Sequence, residues 1–526
     1  MAEHVPEVVP AVYPMRPDVQ LLRHIWQEPH GRSEGEEMIE VSTATRRIAG
    51  AYERFRNTLE PEVEDILRRS AIVRTLERRL KQNRSASLVA TALIQELMRA
   101  NYIAPMPVKT VIPVARDVER ARFILDRLEP SYHEWFLSLV AVSVDGHLHP
   151  HDRREVVTRL MYQDTFQRVE WLPGLVQENE QATQLFAACY RVLFAADDSE
   201  ITYTYFVSQF PAWVKEKSSE EELIHLAVHL QAFYATARTL VEHPGRHRLL
   251  RLLKPAGVPY RILHDLLDKG KSSMWESETA LEATAHEAIV EREKGIQTRM
   301  RKRTWHSILF LFCTKTILTG LLEYPYELFV LRHVHWGALG INIVFHPLLL
   351  FLAATFATLP GASNREKIVE QLRRIVTGEG ELPTIVLAPP RHYGPITWSG
   401  FAVLYTVLFL VIFWALFSLL DFLEFSLVAM FLFIVFLGLG VFLACRVRRA
   451  IDDIRIETER EGFFATLFNF IGLPVLEFGR FLAQNIRQVN VVLFFMDRVL
   501  EAPFKLAIDV IEDWFSFVKD RKEEIG

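Results

Sequence analysis

Between Trp305 and Ala444 the chain carries four long apolar segments, and about three hundred mostly polar residues precede them. The segments run from Trp305 to Leu322 (extendable to Leu331), Trp336 to Leu359, Ile396 to Leu420 and Phe422 to Ala444. A bilayer-spanning helix needs roughly 20 apolar residues. Four such stretches in succession are too long and too apolar for the interior of a globular domain. The chain therefore reads as a membrane-anchored protein with a large water-soluble body, rather than a soluble enzyme or a membrane-filling transporter.

The flanking charges give an orientation. Arg299, Arg301, Lys302 and Arg303 precede the first span, Arg365, Lys367, Arg373 and Arg374 follow the second, and Arg446, Arg448 and Arg449 follow the fourth. The other two turns hold only Arg332 in one, and Asp421 and Glu424 in the other. The positive-inside rule then predicts two hairpins in a plasma or inner membrane, with both termini and the middle loop, 361–395, in the cytoplasm. Membrane lipids are the first partner this implies.

The first span is the polar one. Lys315, Thr319, Glu323 and Glu327 step by four and form one stripe along a helix. A lysine at the centre of a span costs about 2.5–3.5 kcal/mol on insertion scales, which the surrounding apolar residues barely offset. Lys315 and Glu323 lie two turns apart, about 12 Å along the axis, so a partner on another helix is expected. Asn342 and His346, at i and i+4 in the second span, are the candidates. The stripe fits either a polar clamp that fixes helix packing, or a proton, ion or lipid-headgroup site.

The body, 35–275, follows a tail, 1–34, that is rich in proline and expected to be disordered. From Glu36 to about Gly270 the pattern is helical. Glu62 to Leu80 places Val63, Ile66, Leu67, Val73, Leu76 and Leu80 near one face. Arg68, Arg69, Arg74, Arg78 and Arg79 share that segment, and the acids nearby almost balance them, which predicts a solvated, salt-bridged face. The net charge of -5 gives no basic field, so no nucleic-acid partner is expected. The chain has no GxGxxG and no GxxxxGK[ST], which argues against a nucleotide-binding domain. Cys189, Cys313 and Cys445 are far apart and suggest neither disulfides nor a cysteine metal site.

Histidines cluster twice. Asp145-Gly-His-Leu-His-Pro-His-Asp152 brings His147, His149 and His151 into one turn region, and His225 and His229 sit at i and i+4 on a later helix. The latter spacing can hold one metal, although Leu226 follows His225 and no HExxH motif forms. A metal ion is the only cofactor suggested, with Asp145, His147, His149, His151, Asp152, His225 and His229 as candidate ligands. Surface turns and a partly buried helix face account for the same residues without one.

The first turn also carries a resemblance. An apolar helix, Trp135 to Val142, runs into Asp145-Gly146, then Leu148, then a helix from Asp152. About fifty residues later Leu193 to Ala196 runs into Asp198-Ser199, Ile201 and another helix. This doubled pattern, over about residues 120–240, resembles the TerB-like helical domains linked to tellurite resistance and membrane stress. The resemblance implies a helical fold, a scaffold-type role and acidic turns as candidate metal sites. The family's closing glutamate reads Asp152 in the first turn and Tyr205 in the second, and Ser199 replaces a glycine.

A charged helical stalk, 276–304, leads into the spans at 305–445. The middle loop opens with a helix from Glu366 to Val376. The tail, 446–526, reads as amphipathic helices: an interrupted stretch from Phe463 to Leu476 broken at Gly472 and Pro474, then Phe478 to Leu500, then Phe504 to Val518. The expected fold is all-α: a helical cytoplasmic body, a four-helix transmembrane anchor and amphipathic C-terminal helices. The leading function is a membrane scaffold or stress-related adaptor, with no catalytic set, that holds a protein partner through the body or the tail. A small ion, proton or solute transporter subunit using Lys315, Glu323 and Glu327 is the alternative, and a metal-dependent membrane enzyme the third.

Overall fold

The computed structural model describes residues 15–27, 37–39, 64–81, 84–149, 152–355, 359–389, 394–448, 451–456, 470 and 472–482. These are almost entirely helical, with two three-residue strands, Val169–Trp171 and Ile385–Leu387. The chain divides into two compact units at Leu253–Lys254, with a further division between Gln20 and Leu21.

The first described helix, α1 (Pro17–Gln27), lies where a disordered tail is expected. Pro17 fits the first helical position because its missing N–H has no intrahelical partner there. Asp18 supplies a first-turn acid and accepts from Val19 N. Val19 and Leu22 are buried, and this burial is what holds a short helix among so many prolines.

The body continues with α2 (Glu64–Leu80), α3 (Ala86–Arg99), α4 (Val111–Leu125), α5 (His133–Leu148), α6 (Asp152–Arg168), α7 (Glu178–Phe194), α8 (Asp198–Gln209), α9 (Glu220–Val241) and α10 (Arg246–Leu253). Its core gathers Ile72 and Leu76 of α2, Leu93 and Leu97 of α3, Val114 and Val118 of α4, and Phe136 and Val140 of α5. Phe206 sits edge-on to Trp213 at 5.7 Å and to Phe233 at 5.7 Å, which closes that core. Aromatic pairs at such spacings add to the burial of their area. The α9 start is set by a capping box: Glu222 N donates to Ser219 Oγ and Ser219 N donates to the Glu222 carboxylate.

The second unit contains α11 (Val258–Asp268), α12 (Glu278–Leu318), α13 (Trp336–Thr355), α14 (Ala362–Thr377), α15 (Pro395–Phe422) and α16 (Leu427–Arg448). Stalk and first span form one uninterrupted helix: α12 runs 41 residues from its Ser277 cap, about 60 Å at 1.5 Å per residue. It continues through π-helical segments at Thr319–Glu323 and Tyr326–Leu331 and stops where Arg332 turns left-handed at φ 57. Four helices, Glu278–Leu331, Trp336–Thr355, Pro395–Phe422 and Leu427–Cys445, are long and apolar enough to cross a membrane.

The third apolar segment extends through Phe422, and the fourth begins only at Leu427. Between them Glu424 adopts φ 61 and caps the turn. Helices α12, α13 and α16 pack together through Leu311, Leu350 and Phe436. Helix α15 joins them mainly at its C-terminal half, through Phe413, Leu416 and Leu420.

At one end of these helices lies a polar platform. Arg365 bonds Glu293 at 2.8 Å, Arg373 bonds Glu278 at 2.9 Å, and Arg292 pairs with Asp265. Asn364 donates to Ile454 O and accepts from Ile456 N, and Arg261 donates to Asp453 O at 3.0 Å. Burial pulls the Arg261 guanidinium down to about 10 despite Asp453 nearby. Ile296, Met300, Ile451 and Ile454 form a small core among these groups. The platform thus joins the stalk, the middle loop and the segment after the last span.

Of the stretch from Phe463 to Leu476, only 470 and 472–476 are described; these are helical, and the helix runs on through Gly472 and Pro474 to 482. Gly479 crosses α16 at Gly438 so closely that a Cβ at Gly479 would fall on the Gly438 carbonyl. The expected helix from Phe504 to Val518, and most of that from Phe478 to Leu500, lie outside the described residues.

Candidate functional site

The six polar residues of the spans come together. Lys315, Thr319, Glu323, Glu327, Asn342 and His346 are each at most 2% exposed. Lys315 Nζ lies 2.5 Å from His346 Nδ1. Nδ1 therefore accepts from the ammonium, and Nε2 carries the proton and donates to Phe433 O of α16 at 3.0 Å. One chain of bonds thus ties three helices. The Phe433 and Phe436 rings lie 5.2 and 5.3 Å from the ammonium and add cation–π attraction.

Two turns further on, Glu323 takes over. Asn342 Nδ2 donates to Glu323 Oε2 at 2.6 Å, and Thr319 Oγ1 donates to the same oxygen at 3.2 Å. Glu327 Oε2 accepts from His335 N at 2.9 Å, and its backbone carbonyl accepts from His333 N. Glu327 therefore pins the turn between α12 and α13. Four buried polar atoms here have no hydrogen-bond partner among the described residues: Glu323 Oε1, Asn342 Oδ1, Glu327 Oε1 and His335 Nδ1.

The histidine turns do not assemble a metal centre among the described residues: no three His, Cys, Asp or Glu side chains come close enough. Asp145 is not in a turn at all but in the last turn of α5, and its buried carboxylate is held by arginine. Arg68 Nε lies 2.5 Å from Asp145 Oδ1 and Arg68 Nη2 lies 3.0 Å from Oδ2. His147 Nε2 instead contacts Asp117 Oδ2 at 3.0 Å, and His149 Nδ1 stands 3.8 Å from Asp145. His151 and the Asp152 side chain lie outside the described residues. His225 and His229 are exposed with ring centroids 4.1 Å apart, and His229 Nδ1 donates to His225 O.

Arg68 and Arg69 correct the expectation of a solvated face. Both are buried, and their partners lie far along the chain. Arg69 Nη2 bonds Asp197 Oδ2 at 2.9 Å, lies 3.4 Å from Glu200, and its Nη1 is 3.7 Å from Asp145. A single arginine therefore bridges the two acidic segments of the doubled pattern. Asp197 also caps α8 by accepting from Glu200 N at 2.8 Å. Burial opposes ionisation of Asp65, but Arg154 and Arg68 outweigh it and hold the carboxyl below its usual range. Burial likewise disfavours the charge on Arg69, and Asp197 and Glu200 more than restore it.

A second buried network escaped sequence reading. Ser143 Oγ donates to Asp117 at 2.6 Å and accepts from Tyr203 OH and Trp213 Nε1, both at 3.0 Å. This uses the hydroxyl's one donor and two acceptor positions. His147 reaches Asp117 rather than Ser143, so the trio is not arranged to activate a nucleophile. Cys189 is buried too, and burial pushes its thiol up to about 12; it is a packing group.

Comparison with protein-family models, with curated proteins and with solved structures gives no match to this chain.

Proposed function

We propose that this protein is an integral membrane scaffold or adaptor that presents its helical body, Leu21–Leu253, to the cytoplasm. The observation that carries the reading is the polar platform. Segments before the first span, between the second and third, and after the fourth are bound to one another. Helices that cross a bilayer must then return to the same side each time, as two hairpins do. The arginines and lysines on these segments favour the cytoplasm for that side.

The body supports the same reading. Its buried acids hold structural arginines, and its buried serine is fully occupied by structural partners. The doubled acidic pattern, which resembles that of TerB-like domains, is filled by Arg68 and Arg69, which favours the scaffold role over metal chemistry. Side-chain ties between the spans favour an anchor over a moving pathway.

The test uses photo-crosslinking amino acids placed on exposed body positions, such as Val228 and Ile112, in the full-length protein in its own membrane. The scaffold reading expects discrete crosslinked partners from body positions and no solute flux in proteoliposomes. Flux through the reconstituted protein, without crosslinks from the body, would contradict it.

A further inference from the structure

The bonds that satisfy most of the intramembrane cluster leave its far end deficient in positive charge. Lys315, the sole cationic side chain of the stripe, is spent on His346. Glu323 receives two donors on Oε2 and none on Oε1. The Asn342 amide that donates to Glu323 has its own Oδ1 without a partner. That hydrogen bond joins the two side chains, so the unpartnered Oδ1 and Oε1 belong to directly neighbouring groups. Both side chains are fully buried. Two buried acceptor oxygens on joined side chains, with no donor to either among the described residues, call for a cation or a proton there.

The local backbone adds a third oxygen source. Thr319–Glu323 is π-helical, with Tyr324 N bonding back to Thr319 O. Pro325 has no N–H, so one carbonyl of the preceding turn loses its helix donor. Such π-segments recur at functional sites. Glu327, one turn on, brings a second carboxylate with an unpartnered Oε1. The neighbouring α16 carries no charged side chain before Arg446. The donor set is all oxygen and lacks a cluster of three His, Cys, Asp or Glu ligands. That chemistry suits a hard, singly charged ion better than zinc or another transition metal.

We propose that Glu323 Oε1 and Asn342 Oδ1, with backbone carbonyls of the Thr319–Glu323 segment, bind one sodium-sized monovalent cation between α12 and α13. The ion neutralises Glu323 and locks the two helices at the end opposite the platform. This goes beyond the scaffold reading and does not depend on it, because an anchor and a transporter could each hold such an ion.

The experiment measures thermal unfolding of the full-length protein in neutral detergent at pH 7.5. Choline chloride is replaced stepwise by sodium chloride at constant ionic strength. The parent is expected to gain about 2 °C or more on saturation with sodium. Glu323→Gln supplies a neutral amide and is expected to lose that gain, as is Asn342→Ala, which serves if the first variant does not fold. Thr406→Ala, exposed on α15, is expected to keep it. A parent without a sodium response, or an equal response in all variants, would overturn the site. Stability that follows pH but not sodium, in the parent and not in Glu323→Gln, would assign the charge to a proton and overturn the metal cation.

Discussion

Arg68 and Asp145 form a two-point ion pair in the interior of the body, at 2.5 and 3.0 Å, across 77 residues of sequence. Neither side chain is more than 5% exposed. Asp65 and Arg69 extend the pair, and Arg69 carries it to Asp197 and Glu200. A carboxylate already bound twice by guanidinium does not need a metal ion.

Breaking this pair from one side is expected to be costly. Asp145→Ala leaves two buried guanidinium groups short of a counter-charge, and such losses run about 3–5 kcal/mol. Replacing both partners, as Arg68→Met with Asp145→Leu, is expected to recover much of that loss. Chemical denaturation followed by circular dichroism checks both. Equal destabilisation by the single and double changes would contradict the pairing.

Metal chelation is expected to leave the melting temperature unchanged, because Asp145 and His147 are engaged by Arg68 and Asp117. The measurement is unfolding of the full-length protein with and without a chelator, alongside elemental analysis. A stoichiometric transition metal, together with a lower melting point on chelation, would contradict this account of the acidic segments.

Lys315→Met is expected to lower stability in detergent by about 1–3 kcal/mol, since it removes the donor to His346 Nδ1. His346→Phe breaks the link to both Lys315 and Phe433 O. Because the residues act in one chain, the double variant is expected to cost less than the sum. Strict additivity would show that they act independently.

Acid is expected to loosen the body partly through Asp65. Its carboxyl lies below the usual value of 3.8 in the fold, against desolvation and because of Arg154 and Arg68. The stability it adds is full above 3.8 and is lost as pH falls through the lower folded value. An Asp65→Asn variant should therefore show a shallower loss of stability below about pH 4. The same acid slope in parent and variant would contradict this.

The four long apolar helices were legible because hydrophobic length is a direct property of the sequence. The stripe at Lys315, Thr319, Glu323 and Glu327 was legible through its spacing of four, and Asn342 and His346 through theirs. Phe433 was not, because its role belongs to a backbone carbonyl and a ring face in a span with no polar mark. Arg68 and Arg69 were misread because local acids balanced their charge. Their position between Leu67 and Ala71-Ile72 was the available signal, since it places them beside the buried face. Asp145 read as a turn residue because Gly146 follows it, yet α5 continues through both. Helix α1 was hidden by the prolines around it, since its support comes from burial of Val19 and Leu22.

The central claim is that the stalk, the middle loop and the segment after the last span lie on one cytoplasmic side. Single cysteines at Ser363 in the middle loop, and at His333 and Asp421 in the opposite turns, all exposed positions, test it directly. They are introduced after Cys313 and Cys445 are changed to serine, with the buried Cys189 kept as the one other thiol. With a membrane-impermeant maleimide on intact cells, His333→Cys and Asp421→Cys are expected to be labelled, and Ser363→Cys only after permeabilisation. Labelling of Ser363→Cys in intact cells, or protection of either turn, would contradict the account.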